Sequence, residues 1–435
     1  MTRQRRLPCL IAAAALVVAG CGSTPGPSVS IGASPASTPT EAATPAPTTS
    51  LPTTGGGTTP LPTATSEPTS TPTPQPTPTA TATPVPLVPA GWTTPRTFTS
   101  PDPCGDLAAA VDSAGRYHIA AACGGSIRYY FAASQVGPWT WRVFSHASNR
   151  RELGPQVAFD GDRVYVAYTR IGPEGGCNAA QDFGVYFRSR ILPNGAWSAA
   201  TKIGAVADDL QSFQIANGTI EATVYGADGN IYFESRAGSV VHRTKIAHAV
   251  GATSLRVGAD GRVRIAYQVE KGLRIATVTG STLSSTSITG TTNRDWAPLL
   301  GLGASDAPFV VWTRALMPGC ATEGPKPLDG TYFATRTSGV WASRRITKDA
   351  GEASLQVDAA TGRAFVVVSG DKRLRLYVRS AGGTWTTSTL TTSRWPGSPA
   401  ICIDPAHGTL VVAYVDTAAG SRQQMSNQIR VITSK

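Results

Sequence analysis

The chain has 435 residues, of which 15% are charged and 41% hydrophobic, and its formal net charge is +11. This length is too great for one ordinary hydrophobic core, so it indicates either several domains or a ring of repeats. The basic residues are scattered rather than grouped, so we expect no nucleic-acid partner. The mild positive charge either serves only solubility or favours binding to acidic glycans and anionic phospholipid surfaces.

The first twenty residues have the pattern of an export signal. Three arginines precede the apolar run of residues 7–20, which is too short to cross a hydrocarbon core of about 30 Å. Residues 18–21 read VAGC and resemble the lipobox of bacterial lipoproteins. The resemblance implies cleavage before Cys21 and acylation of its thiol, which would anchor the chain at the outer face of the cytoplasmic membrane. The alternative is an ordinary signal that is cleaved to release the chain into solution.

A low-complexity segment follows the signal. Residues 22–90 are nearly all Thr, Pro, Ser, Ala and Gly, without Lys, Arg or an aromatic residue. Such a composition cannot bury enough apolar surface to offset chain entropy, so we predict a disordered tether. The predicted boundaries are therefore 1–20 for the signal peptide, 21–90 for the acylated cysteine with its linker, and 91–435 for a folded body.

The body contains an internal repeat. Seven turn motifs, spaced 43 to 57 residues apart, place an Asp or Asn after a small or apolar residue: Asp112, Asp160, Asn217, Asp260, Asp306, Asp358 and Asp404. Each turn separates two strand-like runs, and two further runs follow. The fourth run often starts at a tryptophan, as at Trp139, Trp197, Trp341 and Trp385. Four antiparallel strands in each repeat of this length are typical of a propeller blade, so we predict an all-β, seven-bladed β-propeller, with six blades as the alternative.

The last repeat lacks a fourth strand before the chain ends at Lys435. Residues 91–100, GWTTPRTFTS, have the pattern of the missing strand although they precede the first repeat. We therefore predict that this N-terminal strand closes the last blade and covers its open edge.

Residues 380–385, SAGGTW, resemble the Asp-box of sialidase-like (BNR-type) propellers, and residues 189–197 and 335–341 are looser versions. All three lack the Asp of the box, so the repeats are degenerate. The resemblance implies a propeller with structural boxes on the face opposite the active site. Family sialidases have six blades, and the count of seven turns departs from that number.

Ligand-binding candidates lie in loops that lead into each blade and in two long insertions. Arginines there could converge on a carboxylate or phosphate, and tryptophans could offer flat walls to a sugar ring. The alternative is that they are solvated side chains. The candidates are Arg150, Arg151, Arg170, Arg294, Trp296, Arg314, Arg394 and Trp395.

Five cysteines follow Cys21. Cys104 and Cys123 flank the first two strands of the body at one end, so we predict a disulfide between them. Cys177 and Cys320 lie in the two long insertions and either pair with each other or remain separate buried thiols. Cys402 lies within an apolar strand and is the spare core thiol.

Motifs for a metal or a cofactor are missing, so we expect neither. A glycosidase needs two carboxylates about 5–9 Å apart. The candidates are Glu152, Glu174, Asp208, Asp209, Asp295, Glu323 and Glu352, and no sequence rule pairs any two of them. The first hypothesis is a monomeric, lipid-anchored, non-catalytic propeller that binds a glycan, acidic polymer, peptide or protein. The alternatives are a sialidase-like exo-glycoside hydrolase and a scaffold within a surface complex.

Overall fold

The computed structural model describes residues 91–434 except 94, 135–136, 146–149, 173–182, 206–207, 249–250, 316–326, 371–372, 392–395 and 417–425. The predicted acylation site Cys21, the linker, Cys177, Cys320, Glu174, Glu323, Arg394 and Trp395 lie outside the described residues. Among the described residues, no helix reaches the length and hydrophobicity that a membrane span requires.

Five separate four-stranded antiparallel sheets form blades of a β-propeller, and each is named here after its first strand. The β5 blade contains β5 (Arg151–Asp160), β6 (Arg163–Ile171), β7 (Gly184–Ile191) and β8 (Thr201–Ile203). The β9 blade contains β9 (Asp209–Ala216), β10 (Thr219–Tyr225), β11 (Asn230–Ala237) and β12 (Val240–His248). The β13 blade contains β13 (Thr253–Val257), β14 (Val263–Val269), β15 (Gly272–Thr279) and β16 (Thr282–Ser287).

The β17 blade contains β17 (Asp295–Leu302), β18 (Pro308–Arg314), β19 (Gly330–Thr337) and β20 (Val340–Thr347), with a 3-10 turn at Ala304–Asp306. The β21 blade contains β21 (Ala353–Asp358), β22 (Arg363–Gly370), β23 (Arg373–Arg379) and β24 (Trp385–Thr391). The remaining strands form one seven-stranded sheet, the closing sheet, in the order β25-β26-β27-β1-β2-β3-β4. Its strands are β25 (Pro396–Ile403), β26 (Leu410–Asp416), β27 (Ser426–Thr433), β1 (Arg96–Val111), β2 (Tyr117–Cys123), β3 (Ser126–Ala132) and β4 (Trp139–Ser145).

Strand β1 joins the two ends of the chain. Its residues 96–99 pair with β27, and its residues 104–111 pair with β2. Thr93 extends the pairing, because its N–H donates to the carbonyl oxygen of Thr433 at 2.8 Å. The prediction that the N-terminal strand lies beside the C-terminal one is therefore confirmed. The sequence predicts that every blade is a separate four-stranded sheet, and the structure shows five such sheets. The other strands lie in a single sheet, because β1 pairs with strands from both ends of the folded body.

The seven predicted turns all join the first and second strands of a repeat. Where Asp occupies the turn, its carboxylate can accept a hydrogen bond from the backbone N–H two residues later, as Asp112 does at 3.0 Å and Asp404 at 2.9 Å. This local bond stabilises the reversal of the chain. The expectation that a fourth strand starts at Trp197 is wrong, because β8 begins at Thr201. The Trp197 ring instead packs edge-on against Phe144, with centroids 4.5 Å apart.

The first strands β1, β5, β9, β13, β17, β21 and β25 each contact the next, and β25 contacts β1, so they form a closed inner ring. Serine hydroxyls connect neighbours in this ring. Ser212 accepts a hydrogen bond from the backbone N–H of Leu255 in the next blade at 3.0 Å, and Ser254 and Ser354 do the same one and three blades further along the chain. These contacts satisfy buried N–H groups where two sheets meet.

The predicted disulfide between Cys104 and Cys123 is present and joins directly opposed residues of β1 and β2. The two cysteines are 19 residues apart in sequence. A disulfide that closes a loop of this length stabilises the fold by roughly 3 kcal/mol. Cys402 is a buried free thiol, as expected, and burial raises its pKa.

Replacing Phe98 tests the closure. Phe98 lies on the segment of β1 that pairs with β27, and its ring packs 5.1 Å from Trp139 and 5.4 Å from Tyr130. Because Phe98 is partly buried, we expect Phe98→Ala to lower the free energy of unfolding by roughly 2–3 kcal/mol in urea titrations. The control Thr99→Val changes an exposed neighbour on the same strand and should leave stability almost unchanged. Equal stability of Phe98→Ala and the native chain would contradict the packing role of this strand.

Glu221 provides a pH-dependent test of the packing of the β9 blade. It is 9% exposed, its Oε2 has no hydrogen-bond partner, and burial raises its pKa to about 7. The folded state therefore keeps a proton that the unfolded chain releases above pH 4.5. As the pH rises from 4.5 to about 7, Glu221 lowers the free energy of unfolding by an increasing amount, and above pH 7 this loss of stability stays constant. We expect Glu221→Gln to be more stable than the native chain by up to roughly 3 kcal/mol at pH 8, with the difference vanishing near pH 4, in unfolding titrations. Glu270→Gln is the control, because it makes the same change at an exposed position. A pH-independent difference for Glu221→Gln would contradict the burial of its carboxyl group.

Candidate functional site

Because strands alternate in direction, the loops that lead into first strands and those that join second to third strands share one face, called here the upper face. The turns between first and second strands and between third and fourth strands share the opposite, lower face. Six of the residues predicted to bind ligand are described, and they belong to segments at the upper face: Arg150, Arg151, Arg170, Arg294, Trp296 and Arg314. Propeller ligands commonly bind where such loops surround the axis of the ring.

Arg170 and Arg314 occupy equivalent positions at the ends of the second strands β6 and β18. The guanidinium of Arg170 donates to Oε1 of Glu152 from Nε at 3.1 Å and from a terminal nitrogen at 2.8 Å, and it lies 4.4 Å from the ring of Tyr186. Glu152 is fully buried. The carboxylate on the first strand therefore neutralises the arginine on the second.

The same clamp recurs in the β17 blade with closer geometry. Arg314 donates to both carboxylate oxygens of Asp295 at 2.6 and 2.7 Å and lies 4.3 Å from the ring of Tyr332. Its second donor group also reaches the carbonyl oxygen of Gly290 at 2.8 Å. A bidentate pair stacked on an aromatic ring is a strong, geometrically specific contact. Both arginines thus hold strands together within their own blades.

The remaining described candidates lie beside these clamps. The side chain of Arg294 pairs with the carboxylate of Asp329, and the guanidinium of Arg150 lies 5.8 Å from the ring of Phe183. Arg151 is the first residue of β5. Trp296 is partly buried, and its indole N–H has no hydrogen-bond partner. The structure therefore gathers three candidates at the β5 blade and three at the β17 blade, and their convergence on one ligand stays a prediction.

The β9 blade contains a cluster of ion pairs, and of its members only Asp208 was among the candidates predicted from the sequence. A terminal nitrogen of Arg243 lies 2.5 Å from both Asp208 and Glu234, and the guanidinium is 3.8 Å from the centre of the Tyr232 ring. Asp208 and Glu234 are buried. Arg243 was missed because it lies on the outermost strand of its blade, far in sequence from Asp208, and no spacing rule joins the two.

Two carboxylates, Asp209 on β9 and Asp106 on β1, form no ion pair with another described residue; strand β5 lies between their two strands. Asp209 accepts hydrogen bonds from the Thr169 hydroxyl at 2.8 Å and from the Gln211 amide at 2.9 Å. Burial among protein groups, together with the negative charges of Asp106 and Asp208, raises the pKa of Asp209 to about 6. Desolvation by the surrounding protein also raises the pKa of Asp106.

Backbone bulges position the acids of the inner ring. Gly154 and Ser398 each precede a proline, interrupt the register of a first strand and adopt positive φ, 57° and 44°. The N–H of Gly154 donates to Asp106 at 3.2 Å, and that of Ser398 donates to Glu352. Each bulge thus holds a carboxylate of the adjacent first strand. The Gly-Pro and Ser-Pro pairs are the sequence signal that could have located these bulges. Asp106 was missed because its partner Gly154 lies 48 residues away in sequence and no spacing rule joins the two.

Within the part of the chain that the structure describes, no group of three or more His, Cys, Asp and Glu side chains is placed to hold a metal ion. The upper face therefore offers ion-paired arginines, hydrogen-bonded carboxylates and aromatic rings. Such groups can recognise a ligand through hydrogen bonds and ring contacts.

No protein-family model and no curated protein matches the sequence. Several solved structures are similar in fold. Polysaccharide lyase Uly1 aligns with a TM-score of 0.50 and 10% identity over 78% of this chain and 91% of its own. A protein of unknown function from Dyadobacter fermentans aligns with a TM-score of 0.48 and 11% identity over 67% and 96%, and Trypanosoma rangeli sialidase with 0.46 and 7% over 76% and 55%. At these identities the likeness concerns the propeller fold alone.

Proposed function

We propose that this chain is an extracellular β-propeller, anchored by acyl groups on Cys21, that binds a glycan, peptide or protein of the envelope or the surroundings without transforming it. The lipobox pattern at residues 18–21 and the Thr- and Pro-rich linker support the anchored, outward-facing placement. A linker of this length, at about 3.1 Å per residue when extended, would hold the body as much as roughly 200 Å from the membrane.

We further infer that the ring has seven blades. The seven-stranded closing sheet divides naturally at β1, whose first segment serves as the fourth strand beside β27 and whose second segment is a first strand beside β2. Seven first strands in a closed ring of contacts support this count over six. The shared strand makes two blades continuous because a bulge between Thr99 and Cys104 carries the chain from the outside of one blade to the inside of the next.

The pairing of the acids supports binding over catalysis. A glycosidase needs one carboxyl group as acid and another as base or nucleophile, each able to change its protonation state. Most described acids near the upper face are instead held by arginines: Asp102 by Arg128, Glu152 by Arg170, Asp208 and Glu234 by Arg243, Asp295 by Arg314, Asp329 by Arg294, Asp349 by Arg375 and Asp416 by Arg430. An arginine partner fixes a carboxylate in place through charge-assisted hydrogen bonds.

The anchor is tested by Cys21→Ser. Without the thiol that would carry the acyl groups, we expect the full-length chain to move from the membrane fraction to the medium, measured by fractionation and immunoblotting. Cys9→Ser is the matched control, because it removes a cysteine of the signal outside the lipobox and should leave the chain in the membrane fraction. A Cys21→Ser chain that stays in the membrane fraction would rule out this anchor.

Binding and hydrolysis are separated by giving the released Cys21→Ser chain both envelope extract and a panel of fluorogenic glycosides. We expect retention of an envelope component without turnover of any glycoside. If the upper face binds an anionic ligand, Arg150→Ala and Arg294→Ala should each weaken retention several-fold, whereas Arg344→Ala, on the exposed side of β20, should not. Equal retention by all three variants would place the ligand elsewhere.

The second candidate is a glycoside hydrolase, and the observation that favours it is the pair of acids Asp209 and Asp106 on the upper face, which have raised pKa values. A carboxyl group with a pKa of about 6 can act as a general acid, and the rate would then fall as the pH rises above 6. Turnover that Asp209→Asn abolishes, and that the exposed Asp162→Asn on the lower face preserves, would overturn the non-catalytic proposal.

A further inference from the structure

The lower face contains a cleft of about 510 Å³ between the outer strands of β1–β4 and the β5 blade. Its walls include Phe131, Pro138, Arg142, Pro193 and Asn194, and Arg190 lies at its inner end. This volume falls within the range that small-molecule sites occupy. None of the residues predicted from the sequence to bind ligand contributes to it.

Arg190 is the unusual member of this cleft. It is 6% exposed, and its guanidinium lies between aromatic rings, 5.4 Å from Tyr129, 5.4 Å from Phe131 and 5.2 Å from Trp197. Among the described residues its Nε has no hydrogen-bond partner, and neither does the buried indole N–H of Trp197, although another part of the guanidinium hydrogen-bonds to the Tyr129 hydroxyl. Two desolvated donors are thus left without acceptors beside the same cleft.

The charge of Arg190 is not balanced by a neighbouring acid. Three arginines of the described residues are buried: Arg128 pairs with Asp102 and Arg314 with Asp295, whereas Arg190 forms an ion pair with no described carboxylate. Burial of an unpaired charge is costly, and a bound anion would remove that cost.

The polar groups that surround the buried side of Arg190 do not provide a free negative charge that would neutralise it. The Tyr129 hydroxyl hydrogen-bonds to Nδ1 of His118, and Nε2 of His118 lies 3.2 Å from the carboxylate of Asp112. Asp112 is itself paired with Arg116 at 2.5 Å. The acid at the end of this chain of hydrogen bonds is therefore already engaged by another arginine.

The mouth of the cleft adds a second cation. Arg142 is exposed on β4 and forms no ion pair with a described residue, and the described residues that line the cleft include no acid. Phe131, Pro138 and Pro193 present flat apolar surfaces, while Asn194 and Thr140 offer hydrogen-bonding groups. Two arginines with apolar walls suit a ring that carries both a carboxylate and C–H faces.

We propose that this cleft binds a carboxylate-bearing sugar, with the carboxylate held by Arg190 and Arg142 and the ring against Phe131 and the two prolines. The inference deepens the proposed binding function and rests on it, and it places the sugar on the lower face rather than on the upper one. Planar guanidinium groups match a carboxylate through paired N–H donors, and the aromatic rings around Arg190 exclude water that would weaken the contact.

The test measures binding of methyl β-D-glucuronide, methyl β-D-glucoside and glycerol phosphate to the full-length Cys21→Ser chain by titration calorimetry. The glucuronide should bind at least roughly 10-fold more tightly than the neutral glucoside, because a charge-assisted contact contributes about that factor or more. Equal affinity for the two sugars would overturn the proposal. Glycerol phosphate that binds as tightly as the glucuronide would also overturn it, since the site would then select anions without regard to the sugar.

Variants locate the site. Arg142→Ala and Arg190→Gln should each weaken glucuronide binding by roughly 10- to 100-fold. Arg142 is exposed, so its variant keeps the test valid if Arg190→Gln fails to fold. Arg344→Ala is the matched control, because Arg344 lies opposite Phe333 in the β17 blade as Arg142 lies opposite Tyr129. Unchanged binding in Arg142→Ala and in folded Arg190→Gln would overturn the cleft, whereas envelope retention that depends on Arg150 or Arg294 would leave the proposed function standing.

Discussion

The pairing of β1 with β27 is the contact on which the rest of the structure depends. A ring of sheets is closed only if its first and last members are joined, and here one strand belongs to both. An open edge at β27 would expose a row of unpaired backbone groups. The disulfide at Cys104 fixes β1 to β2 just after the bulge at which the strand passes from the outside of the ring to its inside. The disulfide thus stabilises the part of β1 at which the strand changes its pairing partner from β27 to β2.

Once the ring is closed, the upper face is organised by charges that neutralise one another. Glu152 with Arg170 and Asp295 with Arg314 each join a first strand to a second strand, with a tyrosine ring beside the arginine. Removal of one partner from such a buried pair typically costs about 3–5 kcal/mol, because the other charge is left in a poor solvent. These pairs therefore make the upper face rigid. The groups that remain available to a ligand are those outside the ion pairs.

The two faces differ in how their charges are balanced. On the upper face, Asp209 and Asp106 are acids with raised pKa values and hydrogen-bonded neighbours. On the lower face, Arg190 is a buried cation with aromatic neighbours, and it forms no ion pair with any acid that the structure describes. The two faces therefore present opposite kinds of charged group to a ligand.

The sequence alone was sufficient for the repeat, the turns, the N-terminal strand beside the C-terminal one and the Cys104–Cys123 bridge. These features are encoded locally, in alternating apolar residues and in Asp or Gly at chain reversals, and the turns recur every 43 to 57 residues. The tertiary structure alone decided that β1 is shared, that Arg170 and Arg314 pair with acids of their own blades, and that Arg190 has no such partner. The physical reason is that charge balance and burial depend on groups that lie dozens of residues apart in sequence, and only the folded ring determines which of them meet.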